Sequence, residues 1–179
     1  MFCVMDVSGS MTRDHKAMAK KFFLLLDLFL QKFYQHVEIV YVRYHTKATL
    51  CNEQQFYYGT ETGGTVYYNA QELVLKTIQE SYPPDDYNIY YAHASDGDMW
   101  ADEHDEVFHN MKKLIDICQY TSYIEIDLQQ RNHYATSLIN LYEKCSSDKL
   151  GVSQVETADQ IYPALRELFK KRGVKHGKS

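Results

Sequence analysis

The sequence predicts a doubly wound α/β domain, with a mostly parallel sheet of six strands, one antiparallel edge strand and helices on both faces. Three observations predict it. Short apolar or aromatic runs alternate with longer amphipathic segments along the whole chain, which is the pattern of repeated β-α units. The alternation breaks once, where runs at residues 37–44 and 47–51 lie close enough to pair as a hairpin and put the second at an antiparallel edge. The chain has 179 residues, enough for one domain with a sizeable core. Such a sheet is Rossmann-like in its winding.

The first strand is the apolar run at residues 2–5, ending at Asp6. A small polar loop leads to a helix over residues 12–34. Its middle, residues 22–30, is apolar on nearly all sides and is expected to be deeply buried. Strands follow at 37–44 and 47–51. Residues 56–62 read as loop, closing on Gly63-Gly64-Thr65, and a helix over 66–82 is stopped by Pro83-Pro84. A strand at 88–94 ends in Ser95-Asp96-Gly97-Asp98, followed by an acidic stretch. The remaining elements are a helix at 107–118, a strand at 122–128, a helix at 133–145, a strand at 150–155 and a helix at 157–171. We expect the domain to occupy residues 1–172, with a flexible basic tail over 173–179. Because the chain opens directly in a strand, it reads as a fragment of a longer protein.

Composition narrows the function. Hydrophobic residues are 45% and charged residues 24%, an ordinary globular balance. A net charge of −5 and a pI of about 5.9 argue against gripping nucleic-acid phosphates. The longest apolar run, 22–30, is broken by Asp27 and is far short of the roughly 20 residues that span a bilayer. No membrane span or signal peptide is expected. Cys3, Cys51, Cys118 and Cys145 have no zinc or CxxC spacing and read as four reduced thiols.

The turn after the first strand carries the chemistry. Asp6, Ser8 and Ser10 can converge on one point, and carboxylate plus hydroxyl oxygens suit a hard cation such as Mg²⁺. The same residues also read as an ordinary helix start, with Ser10 or Thr12 as the cap. Topology favours the site. Ligands in open α/β sheets bind beyond the carboxyl ends of strands where the strand order reverses. Asp96 ends the strand expected beside the first, and Thr65, placed at the start of a helix, lies on the same rim. Three segments thus deliver oxygen ligands to one place.

Other residues read more plainly. Asp98 and Asp102 could contribute to the same rim, but read more readily as a solvated acidic loop. His93 reads as a packed core histidine, and His104, His109 and His133 have no metal-ligand spacing. One ring of Tyr90-Tyr91 belongs in the core. Tyr57, Tyr58, Tyr67 and Tyr68 flank the Thr65 loop, either as contact area for a partner or packed under the loop. Two enzyme readings are weaker, and the second stays open. Gly59 to Thr65 is one residue short of a phosphate loop and lacks its lysine. Asp6-Val-Ser8 sits where a dehalogenase-type phosphatase has Asp-x-Asp, but position 8 has no second carboxylate to act as acid or base.

The set Asp6-Val-Ser8-Gly-Ser10, Thr65 after two glycines, and Ser95-Asp96-Gly97 resembles the metal-ion-dependent adhesion site (MIDAS) of von Willebrand factor A (VWA) domains, over essentially the whole chain. The segments at 5–11, 61–65, 94–102 and 162–169 are also similar to the carboxyl-terminal domain of the uncharacterised bacterial YeaH/YhbH group. The resemblance implies the VWA fold and a metal set of Asp6, Ser8, Ser10, Thr65 and Asp96, in which the serines ligate Mg²⁺ (or Mn²⁺) and the aspartates act through water. It implies a non-enzymatic, metal-dependent protein-binding module whose partner presents an Asp or Glu to the ion. A Mg²⁺-dependent phosphatase-like enzyme using Asp6 is the alternative. The group implies a cytoplasmic protein, encoded near a serine kinase and associated with stress or sporulation, with neither nucleic acid nor membrane as partner.

Overall fold

The computed structural model describes residues 1–128 and 137–170. Strand β1 (Phe2–Asp6) is buried along its whole length. Successive side chains point to opposite faces, so Cys3 and Met5 enter one core while Phe2 and Val4 enter the other. That double burial is why this run reads as continuously apolar. On one side β1 pairs in parallel with β2 (Val40–Tyr44), Phe2 opposite Val40. On the other it pairs in parallel with β4 (Tyr90–Ser95), Phe2 opposite Tyr91. The six-stranded sheet runs β3-β2-β1-β4-β5-β6, with β3 (Ala48–Cys51) antiparallel at one edge. β5 (Tyr120–Ile126) and β6 (Leu150–Val155) extend it in parallel. The chain leaves β1 toward β2 and later returns to β4 on its other flank. The crevice beyond β1 and β4 is therefore the switch point.

Helix α1 (Arg13–Phe33) covers one face of the sheet with α6 (Ile161–Lys170), their contact including Phe29 and Phe169 at 5.5 Å between ring centres. α3 (Tyr68–Ser81), α4 (His104–Ile117) and α5 (Leu138–Glu143) cover the other. Burying a side chain such as Phe22 contributes roughly 1.5–3 kcal/mol. Among the described residues, no helix is long and apolar enough to cross a membrane.

The structure corrects several sequence expectations. α1 is not buried on all sides: Phe22, Phe23, Leu26 and Leu30 face the sheet, while Leu24 and Leu28 are 50% and 62% exposed. A helix lying on one face of a sheet offers only one stripe to it, whatever its other side chains are. Residues 56–62 are not all loop, because α2 (Glu53–Tyr58) forms there. Asn52 caps it: the Gln55 N–H donates to Asn52 Oδ1 at 2.8 Å, and the Asn52 N–H donates to Gln55 Oε1 at 3.1 Å. β2 starts at Val40, the residue opposite Phe2, rather than at 37. The helix expected at 107–118 starts earlier, after a 3-10 turn at Ala101–Glu103. Of the helix expected over 133–145, residues 133–136 lie outside the described residues, as does the basic tail.

Gly97, next to Asp96, is a position where the backbone itself calls for glycine. Its φ is +82°, and a Cβ there would collide with the Glu125 carboxylate. That carboxylate accepts hydrogen bonds from the Tyr123 hydroxyl at 2.9 Å and the Ile139 N–H at 3.2 Å. Gly97→Ala is expected to cost at least about 1–2 kcal/mol from the backbone alone. A urea titration reads this as a lower midpoint, and an unchanged midpoint contradicts it.

Candidate metal centre

The centre is built where β1 ends. The Val7 N–H donates to the Tyr44 carbonyl at 2.8 Å, which keeps the departing chain against β2. The Ser8 N–H then donates to Asp6 Oδ1 at 2.8 Å, an Asx-type turn that folds the serines back over the carboxylate. The Ser8 and Ser10 hydroxyls lie 3.1 Å apart. Thr12, not Ser10, caps α1, its Oγ1 accepting from the His15 N–H. Ser10 is thus spared for the turn. Across the switch point, Asp96 follows β4, and the Asp98 N–H donates to Asp96 Oδ1 at 3.2 Å in the same turn geometry. The third segment joins through Gly9, whose N–H donates to the Gly63 carbonyl at 2.8 Å.

Two carboxylates lie buried in this crevice, with Lys16 acting on Asp6 and His15 on Asp96. Asp6 is 0% exposed and Asp96 8%. Asp6 Oδ2 and Asp96 Oδ2 are each buried with no hydrogen-bond partner among the described residues. Orphaned buried oxygens of this kind are rare and costly. Burial, reinforced by the charge of Asp96, pushes the Asp6 carboxyl up to about 7 against the hydrogen bonds from Ser8. Burial likewise raises Asp96, with Ser10 hydrogen bonding opposing it and Asp98 adding to it. A cation between them relieves both the like-charge repulsion and the orphaned lone pairs. The donor set is all oxygen. Among the described residues, no group of three or more His, Cys, Asp or Glu side chains can hold a metal. A metal here therefore relies on the hydroxyls.

The structure brings Asp6, Ser8, Ser10 and Asp96 together by hydrogen bonds and charge. Thr65 is half-buried two residues beyond the Gly9–Gly63 bond, in the loop ahead of α3 rather than at the start of a helix. Asp102 is exposed, as expected of a solvated loop, but Glu103 is not part of that surface. It is buried and accepts the Tyr67 N–H at 3.1 Å. The four tyrosines divide: Tyr57 and Tyr67 are buried, Tyr68 is half-buried and Tyr58 is exposed.

Sequence reasoning missed how the tyrosines pair beneath the crevice. His93 is the core histidine expected. Burial holds its imidazole well below its ordinary pKa, so it is neutral. It stacks on Tyr67 at 4.3 Å and on Tyr123 at 4.9 Å, and its Nε2 shares a hydrogen bond with the Tyr44 hydroxyl at 2.8 Å. The Tyr67 and Tyr91 hydroxyls are 2.7 Å apart, and Ser95 Oγ lies 2.9 Å from the Tyr123 hydroxyl. Tyr44 sits opposite Asp6 in the β1–β2 ladder, so this wall directly underlies the carboxylate. The period-two spacing of Tyr91, His93 and Ser95 on β4 was the signal available for it.

A family profile described as "Protein of unknown function (DUF444)" matches residues 1–172. The chain belongs to the DUF444 family. A UPF0229 protein of Pectobacterium atrosepticum is 44% identical to this DUF444 chain over 180 residues, and one of Saccharophagus degradans is 46% identical over 176. The matches take in 98% and 96% of this chain and 41% of each relative, so the chain spans about two-fifths of their length. The YeaH/YhbH-like resemblance read from the sequence agrees with this family. Among solved structures, a mutant of the PilB minor pilin of Streptococcus sanguinis is similar in fold, with a TM-score of 0.69 at 10% identity, over 95% of this chain and 60% of that one. An aerotolerance-related membrane protein of Bacteroides fragilis gives 0.57 at 12% identity, over 95% and 98%.

The raised Asp6 pKa fixes a pH dependence for the metal-free DUF444 domain. The folded value of about 7 lies above the 3.8 of an ordinary aspartate. The protonated form is therefore the one the fold favours, and stability from this group is lost as pH rises from about 4 to 7. Asp6→Asn mimics the protonated form. In the presence of chelator, it is expected to raise the melting temperature at pH 8 and to have a smaller effect at pH 5. Equal effects at both pH values, by calorimetry, contradict the buried-charge reading.

Proposed function

We propose that this domain is a metal-dependent protein-binding module of the VWA type, holding Mg²⁺ or Mn²⁺ at a MIDAS-like centre of Asp6, Ser8, Ser10, Thr65 and Asp96. One observation carries the reading: two buried carboxylates, each with one oxygen unpartnered among the described residues, lie at the sheet's switch point beside the Ser8 and Ser10 hydroxyls. Hard oxygen donors favour Mg²⁺ or Mn²⁺ over Zn²⁺. The bound ion supplies a positive centre with an open position for one more anionic oxygen. The protein's part is to hold that position in a buried crevice, with Asp6 and Asp96 fixed by their turns.

The partner presents a single Asp or Glu. Asp102, Asp105 and Glu106 are exposed near the rim and repel a strongly acidic surface, so neutral or basic residues surround that carboxylate. Trp100 is 63% exposed on the same loop as Asp96, and a large amphipathic ring beside an ion is a typical anchor. The resemblance supports a cytoplasmic setting, a stress- or sporulation-associated role and a neighbouring serine kinase system as the first partner to test. The phosphatase-like alternative is the weaker one. Asp6 is sealed from solvent, and Ser8 occupies the place of the second carboxylate such chemistry needs.

Calorimetry is expected to show one Mg²⁺ or Mn²⁺ per chain and a shift in Trp100 emission on binding, with Ser8→Ala weakening both. Equal affinity in wild type and Ser8→Ala contradicts the assignment. A partner captured from the source cell in Mg²⁺ is expected to bind at least tenfold more weakly after chelation or in Asp6→Ala, since losing a desolvated charged contact costs about 2–5 kcal/mol. A complex indifferent to chelation rules the mechanism out. Phosphate-ester turnover that vanishes in Asp6→Asn favours the enzyme instead.

A further inference from the structure

We infer that Arg43 is a positioning residue for the metal centre: with Glu61 it clamps the loop that carries Thr65. The inference rests on the proposed metal site and identifies what sets its third segment in place.

Arg43 lies on β2, one residue before Tyr44, and is 6% exposed. Both of its Nη atoms are spent on a single stretch of chain, while Nε is buried with no partner among the described residues. Nη1 donates to the Gln55 carbonyl at 2.9 Å and to Glu61 Oε2 at 2.6 Å, and Nη2 donates to the Gly59 carbonyl at 2.9 Å. One rigid fork thus holds the end of α2, the residue that follows it and the start of the loop. A Cβ at position 59 would collide with the guanidinium, so glycine there is what admits the arginine. Two residues past Glu61, the Gly63 carbonyl receives the Gly9 N–H, and the Val66 N–H donates to the His45 carbonyl at 3.1 Å. Thr65 therefore hangs between fixed points, and Arg43 is the one that ties the loop's entry to the sheet.

Glu61 separates this role from simple stability. Its side chain is 69% exposed, and exposed ion pairs contribute little to folding. Its consequence is geometric: it fixes the loop four residues before Thr65. Lysine cannot replace Arg43, because a point charge on a flexible stem does not span three acceptors.

Mn²⁺ binding, followed by electron paramagnetic resonance and water-proton relaxation, tests this in the whole 179-residue chain. Wild type is expected to bind one ion and Asp6→Asn none. Glu61→Ala is expected to melt with the wild type in chelator, to bind Mn²⁺ roughly tenfold more weakly and to gain one fast-exchanging water on the ion. Thr65→Val is expected to do the same. The Glu61→Ala/Thr65→Val double variant is then no worse than Thr65→Val alone, and Arg43→Lys follows Glu61→Ala. If wild type binds and Glu61→Ala matches it in affinity and water count, or if the two losses add, the clamp is overturned while the metal site stands. If wild type itself binds no Mn²⁺ at Asp6, both are overturned.

Discussion

Two carboxylates share one buried crevice, and the structure is arranged around that conflict. Asp6 ends β1 and Asp96 follows β4, and the parallel pairing of those two strands makes the aspartates neighbours across the switch point. Each keeps one oxygen occupied by a backbone N–H two residues on and the other buried with no partner among the described residues. Without a counter-charge the arrangement opposes folding at neutral pH, as the raised Asp6 and Asp96 values express. The proposed cation, like a proton, is what relieves such a pair.

The rest of the domain makes the crevice stiff. Helices on both faces leave β1 with no solvated side, so Asp6 cannot turn outward to water. Beneath it, neutral His93 and its tyrosines form a wall whose hydroxyls pair with one another, with the ring, with Ser95 and with Glu125, while His93 Nδ1 is buried with no partner among the described residues. Asp98 and His15 also act on Asp96. Above it, the loops are fastened one to another by Gly9–Gly63 and to the sheet by Arg43. A rigid floor and tethered loops are what a weakly held hard cation needs to keep one position open for a ligand.

Much of this was legible in the sequence, for physical reasons. The mostly parallel six-stranded sheet and its antiparallel edge followed from alternation and from the hairpin spacing, which depend on local pattern. Asp6, Ser8, Ser10 and Asp96 were legible because they sit at strand ends, where topology alone decides what meets. α2 was missed although Asn52 and Gln55 carry a capping box, because the aromatic run after them has no helical period of its own. The exposure of Leu24 and Leu28 was illegible because burial depends on how many layers cover a helix, which its own composition does not encode. The clamp from Arg43 to Gln55, Gly59 and Glu61 joins residues up to 18 positions apart through two backbone carbonyls, which no side-chain pattern announces.

The central claim is that a cation belongs between Asp6 and Asp96. Anomalous diffraction from crystals grown with Mn²⁺ measures it most directly. The expected result is one strong anomalous peak at the switch point, about 2 Å from the Ser8 and Ser10 hydroxyls, and absent from Asp6→Asn crystals. A crevice with no such peak at saturating Mn²⁺, or an ion bound only elsewhere on the chain, contradicts it.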